Sequence, residues 1–369
     1  MIVFAIACIL TVAFTWGGYP LLVAALASVR GKAAPRPTAK PVRVSVVLAT
    51  IADDAAVERR LADLERTNFP HHRLEIVVAI DYRRDADAVH FRHGDVAVKV
   101  VRGDAPGGKA SALNAGVRAA TGDLLVFTDV AQQFEPNTIP RLVAALASDE
   151  RLGAVSGALH IERSPGRFSI ANAYWQLERW LRRNEARLHS AVGVTGAVYA
   201  MQRALWVPLP DGLILDDLYT PMQLVLRGYR VGFDEQALAY DARHFAPREE
   251  YRRKARTLTG VLQLCAWLPA VVMPTRNPIW VQFVSHKLLR LATPYLVLFG
   301  GATLVWWLVA THRSSIAPWA FAALGAIALV PALVSRRVRE GVSGAAYMQL
   351  AAMKATVNAL RGHWDVWQS

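Results

Sequence analysis

Residues 123–136 read "DLLVFTDVAQQFEP". An apolar run, Leu124 to Phe127, leads through Thr128 into a single carboxylate, Asp129, and then the chain turns polar. A short apolar run bounded by polar residues is the pattern of a strand buried on both faces. An acid just past such a strand stands where parallel sheets open onto their ligands. The same pattern recurs upstream in "VRVSVVLAT" (42–50), "RLEIVVAID" (73–81) and "DVAVKVVRG" (95–103). Between these runs, Asp53 can cap a helix that carries Val57, Leu61 and Leu64 on one face. "GGKASALNAGVRAATG" (107–122) reads as a second helix, ending at a glycine. Strands alternating with helices predict an α/β domain with a mostly parallel sheet. Asp53, Asp81 and Asp129 all follow a strand end, so three acids are expected on one rim of one sheet.

The two ends of the chain differ from this middle. Hydrophobic residues make up 53% of the whole, high for a soluble protein. Residues 2–29 carry no charge and, as a helix, are long enough to cross a bilayer. With no basic leader and a long apolar run, they read as an anchor rather than a cleaved signal peptide. Residues 291–310 and 316–334 are further candidate spans, the first with Trp306 and Trp307 for an interface. The stretch 343–360, with Lys354 in its middle, either spans or lies on the surface. Arg30, Lys32, Arg36 and Lys40 follow the first span and Arg336, Arg337 and Arg339 the third, which places residues 30–290 in the cytoplasm. The expected plan is a spanning helix (1–29), a linker (30–41), a cytoplasmic α/β domain (42–257) and amphipathic interfacial helices (258–290). Spans at 291–310 and 316–334 follow, and then a final spanning or interfacial helix and tail (343–369).

A net charge of +13 fits an anionic membrane surface and a phosphate-rich ligand. No basic helix with interleaved aromatics supports nucleic acid as a partner. The two cysteines, Cys8 and Cys265, have no metal spacing and suggest no disulfide framework.

Taken in order, these elements resemble the membrane-bound family 2 glycosyltransferases of the GT-A fold, related to cellulose, hyaluronan and chitin-oligosaccharide synthases. The resemblance implies a GT-A sheet domain flanked by transmembrane helices in the cell (inner) membrane. It also implies a nucleotide-sugar donor, with a UDP-sugar expected, and magnesium or manganese as cofactor. "VVLATIADD" (46–54) is similar to the family's first strand end, with Thr50 and Asp53 on the nucleoside side and Ala52 where an asparagine is usual. "AIDYRRDAD" (79–87) is similar to the second, with Asp81 toward the base and Tyr82 and Arg83 replacing small residues. "GGKASALN" (107–114) supplies Lys109 toward a phosphate or the base and Asn114 to shape the pocket.

In the family the fourth strand ends in Asp-x-Asp, which holds a divalent cation against the diphosphate. Asp129 matches the first acid and Ala131 replaces the second, leaving the metal one protein carboxylate, with His244 as a possible extra ligand. "VGVTGAVYAMQRALW" (192–206) resembles the acceptor-lining segment, with Thr195 and Gly196. "GLILDDLYTPMQLVLRGYRVGFD" (212–234) resembles the general-base motif. It implies Asp217 as base, with Asp216 raising its pKa. "REEYRRKARTLTGVLQLCAW" (248–267) aligns with Gln-x-x-Arg-Trp of processive synthases. Arg256 falls on the arginine, Arg253 on the glutamine and Thr257 on the tryptophan, with Arg253 and Arg256 toward the diphosphate.

The implied activity is inverting transfer of one or a few sugars to a lipid-linked or oligosaccharide acceptor, in cell-surface polysaccharide or glycolipid synthesis. A processive polysaccharide synthase and a catalytically silent nucleotide-binding scaffold stay open beside it.

Overall fold

The computed structural model describes residues 1–30, 42–84, 91, 94–161, 170–243, 247–311 and 336–364. Eight strands form one sheet: β1 (Val44–Thr50), β2 (Leu74–Ile80), β3 (Ala97–Arg102), β4 (Leu124–Thr128), β5 (Gln132–Phe134), β6 (Leu152–Ile161), β7 (Tyr199–Gln202) and β8 (Arg230–Asp241). Their spatial order is β3-β2-β1-β4-β7-β6-β8-β5. β3, β2, β1 and β4 are parallel, as their apolar runs predict. Beyond β4 the sheet is mixed, because β7 runs antiparallel to both β4 and β6, and β5 antiparallel to β8. β6 and β8 are again parallel, so four of the seven strand pairings are parallel and the sheet is mixed but mostly parallel, as expected. The chain builds outward from β1 to β3 and returns to β4, so the strand order reverses between β1 and β4. Their carboxyl ends open the crevice where such sheets bind ligands.

Side chains alternate across β1: Val44, Val46 and Leu48 pack on one face of the sheet and Val47 on the other. The first face is covered by α2 (Asp54–Glu65) through Val57, Leu61 and Leu64, and by α4 (Thr138–Ala147) through Ile139 and Leu142. The second is covered by α3 (Lys109–Ala119) and α6 (Asp216–Leu226). Val261 and Leu264 of α7 (Pro247–Trp267) join that same core. The expected domain boundary at residue 257 thus falls inside one continuous helix. The face of α7 read as membrane-surface amphipathic lies in part on the sheet domain.

Among the described residues, two helices are long and apolar enough to cross a membrane: α1 (Ile2–Val29) and α8 (Trp280–Thr311). Gly300 lies against Cys8, and the Trp16 indole N–H donates to Thr293 Oγ1 at 3.1 Å, so the two helices run past one another in opposite directions. Between α1 and α8 on one side and the sheet on the other lies α5 (Ile170–Leu188). Tyr19 donates to Glu185 at 2.6 Å, and His286 reaches Glu185 and Glu178 at 2.9 and 3.1 Å. α9 (Arg336–Leu360) buries Ala351, Ala352 and Ala355, and Asn358 donates to Thr259 of α7 at 3.2 Å. That end of α9 is seated on α7. The expected span 316–334 and most of the linker lie outside the described residues.

Candidate active site at the carboxyl edge of the sheet

Two adjoining cavities open at the carboxyl ends of β1, β2 and β4. The larger, about 1590 Å³, is lined by Thr50, Ala52, Asp81, Arg83, Lys109 and Asp129 among others. The smaller, about 540 Å³, is lined by Thr195, Gly196, Asp216, Asp217 and the α5 side chains Tyr174 and Trp175. Lys109, Asp129, Gln132, Arg243, Arg253 and Arg256 belong to both walls. The two cavities are therefore halves of one cleft.

The larger half is held by hydrogen bonds to a single acid. Asp81 follows β2 and is nearly buried. Its carboxylate accepts from the Arg83 backbone (2.9 Å), the Arg83 guanidinium (2.7 Å) and the Gly108 N–H (2.9 Å). Burial pushes Asp81 up, but these donors outweigh it and leave its pKa below the usual value. Gly107 and Gly108 have φ of 91° and 105°, and a Cβ on Gly107 would come within 2.6 Å of Asp81 Oδ1. Two glycines are thus what lets the start of α3 close over Asp81.

At that start, Lys109 is the link between distant motifs. Its Nζ lies 3.2 Å from Asp129 Oδ1 and 3.3 Å from Asp216 Oδ1. Burial works against the ammonium, yet Asp129, Asp216 and Asp217 together raise its pKa well above the ordinary lysine value. Three separate stretches of the chain meet on one side chain.

In the smaller half, the acidic pair opens α6, where the helix N-terminus favours negative charge. The loop before β7 is stitched to it: Val194 N–H donates to Asp217 O at 2.9 Å, and a Cβ on Gly196 would sit 3.2 Å from Asp217 Cβ. Burial first, and Asp216 second, push Asp217 up to about 6, with Lys109 and Arg182 pulling the other way. Overhead, Gln263 of α7 accepts from Ile214 N–H (2.9 Å) and donates to Gly212 O (3.0 Å), which locks α7 onto the approach to α6. That lock sets Arg253 and Arg256, two to three turns earlier on α7, over the cleft. Burial lowers the basicity of Arg256, while Asp217, Asp216 and Asp129 support its charge.

Not every expected residue faces the cleft. Asp53 caps α2, accepting from Ala56 N–H at 2.8 Å, and lines neither cavity. Asn114 exchanges two hydrogen bonds of 2.8 Å with the Leu209 backbone, so it braces the wall from behind. His244 lies outside the described residues. Among the described residues no cluster of three or more His, Cys, Asp or Glu is placed to hold a metal.

Other cleft residues escaped the sequence reading. Arg60 is wholly buried on α2, bonded to Asp63 and, at 2.6 Å, to Thr128 beside Asp129. Its only sequence signal is a cation next to the apolar stripe. Asp241 and Arg243 pair at 2.7 Å at the end of β8, and Gln132 donates to Asp241 at 2.8 Å. Lys354 reaches the larger cavity from α9, a placement that only the docking of α9 on α7 reveals.

Comparison with known proteins agrees with this geometry. Residues 45–206 match the sequence profile named Glycosyl transferase family 2. The probable glycosyltransferase YdaM of Bacillus subtilis (strain 168) is 22% identical over 238 residues, 59% of this chain and 55% of YdaM. The chain thus spans about half the length of that curated relative. Among solved structures, the mannosyltransferase PcManGT from Pyrobaculum calidifontis, in complex with GDP-Man and Mn2+, superposes with a TM-score of 0.71 at 23% identity. That match covers 97% of this chain and 99% of that one. A looser likeness, to residues 1–349 of S. aureus TarS, has a TM-score of 0.41 at 14% identity, covering 70% and 87% of the two chains, and carries no argument. Residues 45–206 are thus similar to glycosyl transferase family 2, and the sheet they contribute to has a GT-A-like α/β fold.

Proposed function

We propose that this protein is an inverting glycosyltransferase, moving a sugar from a nucleoside-diphosphate sugar in the larger half of the cleft to an acceptor hydroxyl in the smaller half. The observation that carries the reading is Lys109, held between Asp129 and Asp216 where the two halves meet. The name of PcManGT, bound to GDP-Man and Mn2+, supports a nucleotide-sugar donor and a divalent cation for this chain as well.

In the reaction, the acceptor oxygen forms a bond to the anomeric carbon and gives its proton to the Asp217 carboxylate. The bond from the anomeric carbon to the diphosphate breaks, and its electron pair leaves with the nucleoside diphosphate. A base with a pKa of about 6 is ionised at neutral pH yet still takes a proton readily. Asp81 and Thr50 line the donor half as the nucleoside partners. Arg253 and Arg256 face the diphosphate, whose geometry suits guanidinium groups. Ala131 removes the second acid of Asp-x-Asp, so a cation here would rest on Asp129 with substrate oxygens and water completing its shell. Such an ion supplies Lewis-acid stabilisation of the leaving diphosphate.

Thr257 stands at the position where processive synthases carry the sugar-stacking tryptophan, and a cavity of about 540 Å³ is the size of a small-ligand site, so one or a few sugars are added. With α1 and α8 crossing the cell membrane, the domain faces the cytoplasm and works in glycolipid or polysaccharide synthesis. The test is transfer and donor hydrolysis by the full chain in purified membranes, against a panel of UDP- and GDP-sugars, with and without Mn2+. Turnover with at least one donor is expected. No turnover with any donor would leave only the nucleotide-binding scaffold, and long products would make the enzyme a processive synthase.

A further inference from the structure

The smaller half of the cleft holds three cations to which the transfer reaction gives no role. On its wall stand Arg182 of α5, Lys254 of α7 and Lys287 of α8, brought together from three helices. Among the described residues none of the three has an ion pair within 4.0 Å. Arg182 donates to Thr195 Oγ1 at 2.7 Å, and the Lys254 ammonium lies over the rings of Tyr174 and Trp175, 4.2 and 5.5 Å from their centroids. The acid nearest this wall, Glu178, is already engaged by Arg290 and by His286. Glu250, which also lines the cavity, makes no ion pair among the described residues either. Three half-buried cations that converge with no carboxylate within 4.0 Å among the described residues mark a place where a ligand can supply negative charge.

The position of the wall narrows the ligand. Lys287 lies near the start of α8, and the helix continues into apolar residues whose side chains, Val297, Leu298 and Phe299, are exposed. α1 packs beside it with Leu21, Leu22 and Leu26 exposed. A molecule whose charged group sits among Arg182, Lys254 and Lys287 can lay an apolar tail along these helices while a hydroxyl reaches Asp217.

We propose that the acceptor carries a phosphate group, held by Arg182, Lys254 and Lys287 beside the Tyr174–Trp175 pair, and that this group anchors the acceptor at the membrane end of the cleft. The proposal rests on the transferase reading and names the acceptor class for it.

The test measures binding to the full-length chain in neutral detergent, by calorimetry or thermal shift, with three probes: dihexanoyl phosphatidic acid, dihexanoylglycerol and inorganic phosphate. Phosphatidic acid is expected to bind at least about tenfold more tightly than the uncharged glycerolipid. Lys254→Gln and Lys287→Gln should each lose roughly tenfold or more of that affinity, as for a charge-assisted hydrogen bond, and Lys287→Arg should keep most of it. Phosphatidic acid binding above inorganic phosphate supports a lipid source; equal binding of the two supports the same phosphate site with a soluble source. Equal affinity for the charged and uncharged lipids would overturn the proposal. So would glutamine variants that bind like the wild type while Lys287→Arg is folded. GDP and UDP with Mn2+, titrated into the same samples, separate the two readings. Nucleotide binding without phosphate binding sinks this inference alone, whereas no nucleotide binding sinks the transferase reading.

Discussion

Asp81 and Asp217 are both aspartates lining one cleft, and their surroundings push them in opposite directions. Asp81 accepts four hydrogen bonds, two from backbone N–H groups and two from the Arg83 guanidinium, and its pKa falls despite burial. Asp217 is half-buried beside a buried second acid, and its pKa rises to about 6. An acid surrounded by donors stays ionised and serves as a fixed acceptor for a ligand. An acid that is half-buried and crowded by like charge becomes a base. The division between donor half and acceptor half is thus an electrostatic one as well as a geometric one.

The sharpest way to break this contrast is Asp217→Asn. Transfer should fall by about 10³-fold, within the range for loss of a general base, while nucleotide affinity stays within about twofold. The same variant should be more stable. The folded pKa lies above the unfolded value of 3.8, so wild type loses stability as pH rises from about 4 through 6. At pH 7 the amide should therefore melt higher, by roughly 1–3 kcal/mol of added stability, and the gain should vanish below about pH 4. In wild type, kcat/KM should climb through pH 6 and level off above it. A flat profile would remove Asp217 from the role of base.

Lys109→Met comes next. Without the ammonium between Asp129 and Asp216, Asp217 is less easily ionised. Transfer should drop by about 10²-fold and the acid limb of the pH profile should move upward. An unmoved limb would mean that Lys109 serves binding alone.

Asp81→Asn probes the other half. It should raise the donor KM by roughly ten- to a hundredfold with kcat little changed, which initial rates over a donor series will show.

The smallest effect on catalysis is expected at Glu75, outside the cleft. This buried carboxylate accepts from Ser45 at 2.5 Å and from Thr121 N–H at 2.6 Å, and pairs with Lys99 at 2.7 Å. Burial raises its pKa, but these partners bring it down to about 2. A depressed carboxylate stabilises the fold above its unfolded pKa of about 4.5, and that stability is lost as pH falls toward 2. Glu75→Gln should cost about 2 kcal/mol near neutral pH by denaturant melts and leave transfer within about twofold.

Much of the parallel half was legible in the residues themselves. β1, β2 and β4 are buried on both faces, so nearly every position is apolar and the acids at their ends stand out. The mixed half was less legible. β8 mixes apolar with charged residues, and β5 is only Gln132–Phe134, too short for any period. Asp53 illustrates a different limit. Capping a helix and binding a ligand ask for the same residue type just past a strand, and only coordinates separate Asp53, bonded to Ala56, from Asp81, which faces the cleft. Arg60 and Lys354 were missed because a cation on a helix is ordinary until the helix is seen to point it at a site.

Local chemistry along the chain determined the strand ends, the glycine turn before Lys109, the acidic pair at Asp216–Asp217 and the two long apolar helices. Each of these depends on neighbours within a few positions: alternation across a strand, freedom at positive φ, charge at a helix start. Tertiary structure alone decided that Lys109 would bridge Asp129 and Asp216, that Asp217 would be buried deeply enough to act as a base, and that α5, α7 and α8 would turn three cations toward one wall. Those outcomes depend on distances between residues remote in the chain and on the water that packing excludes, which no short stretch of sequence contains.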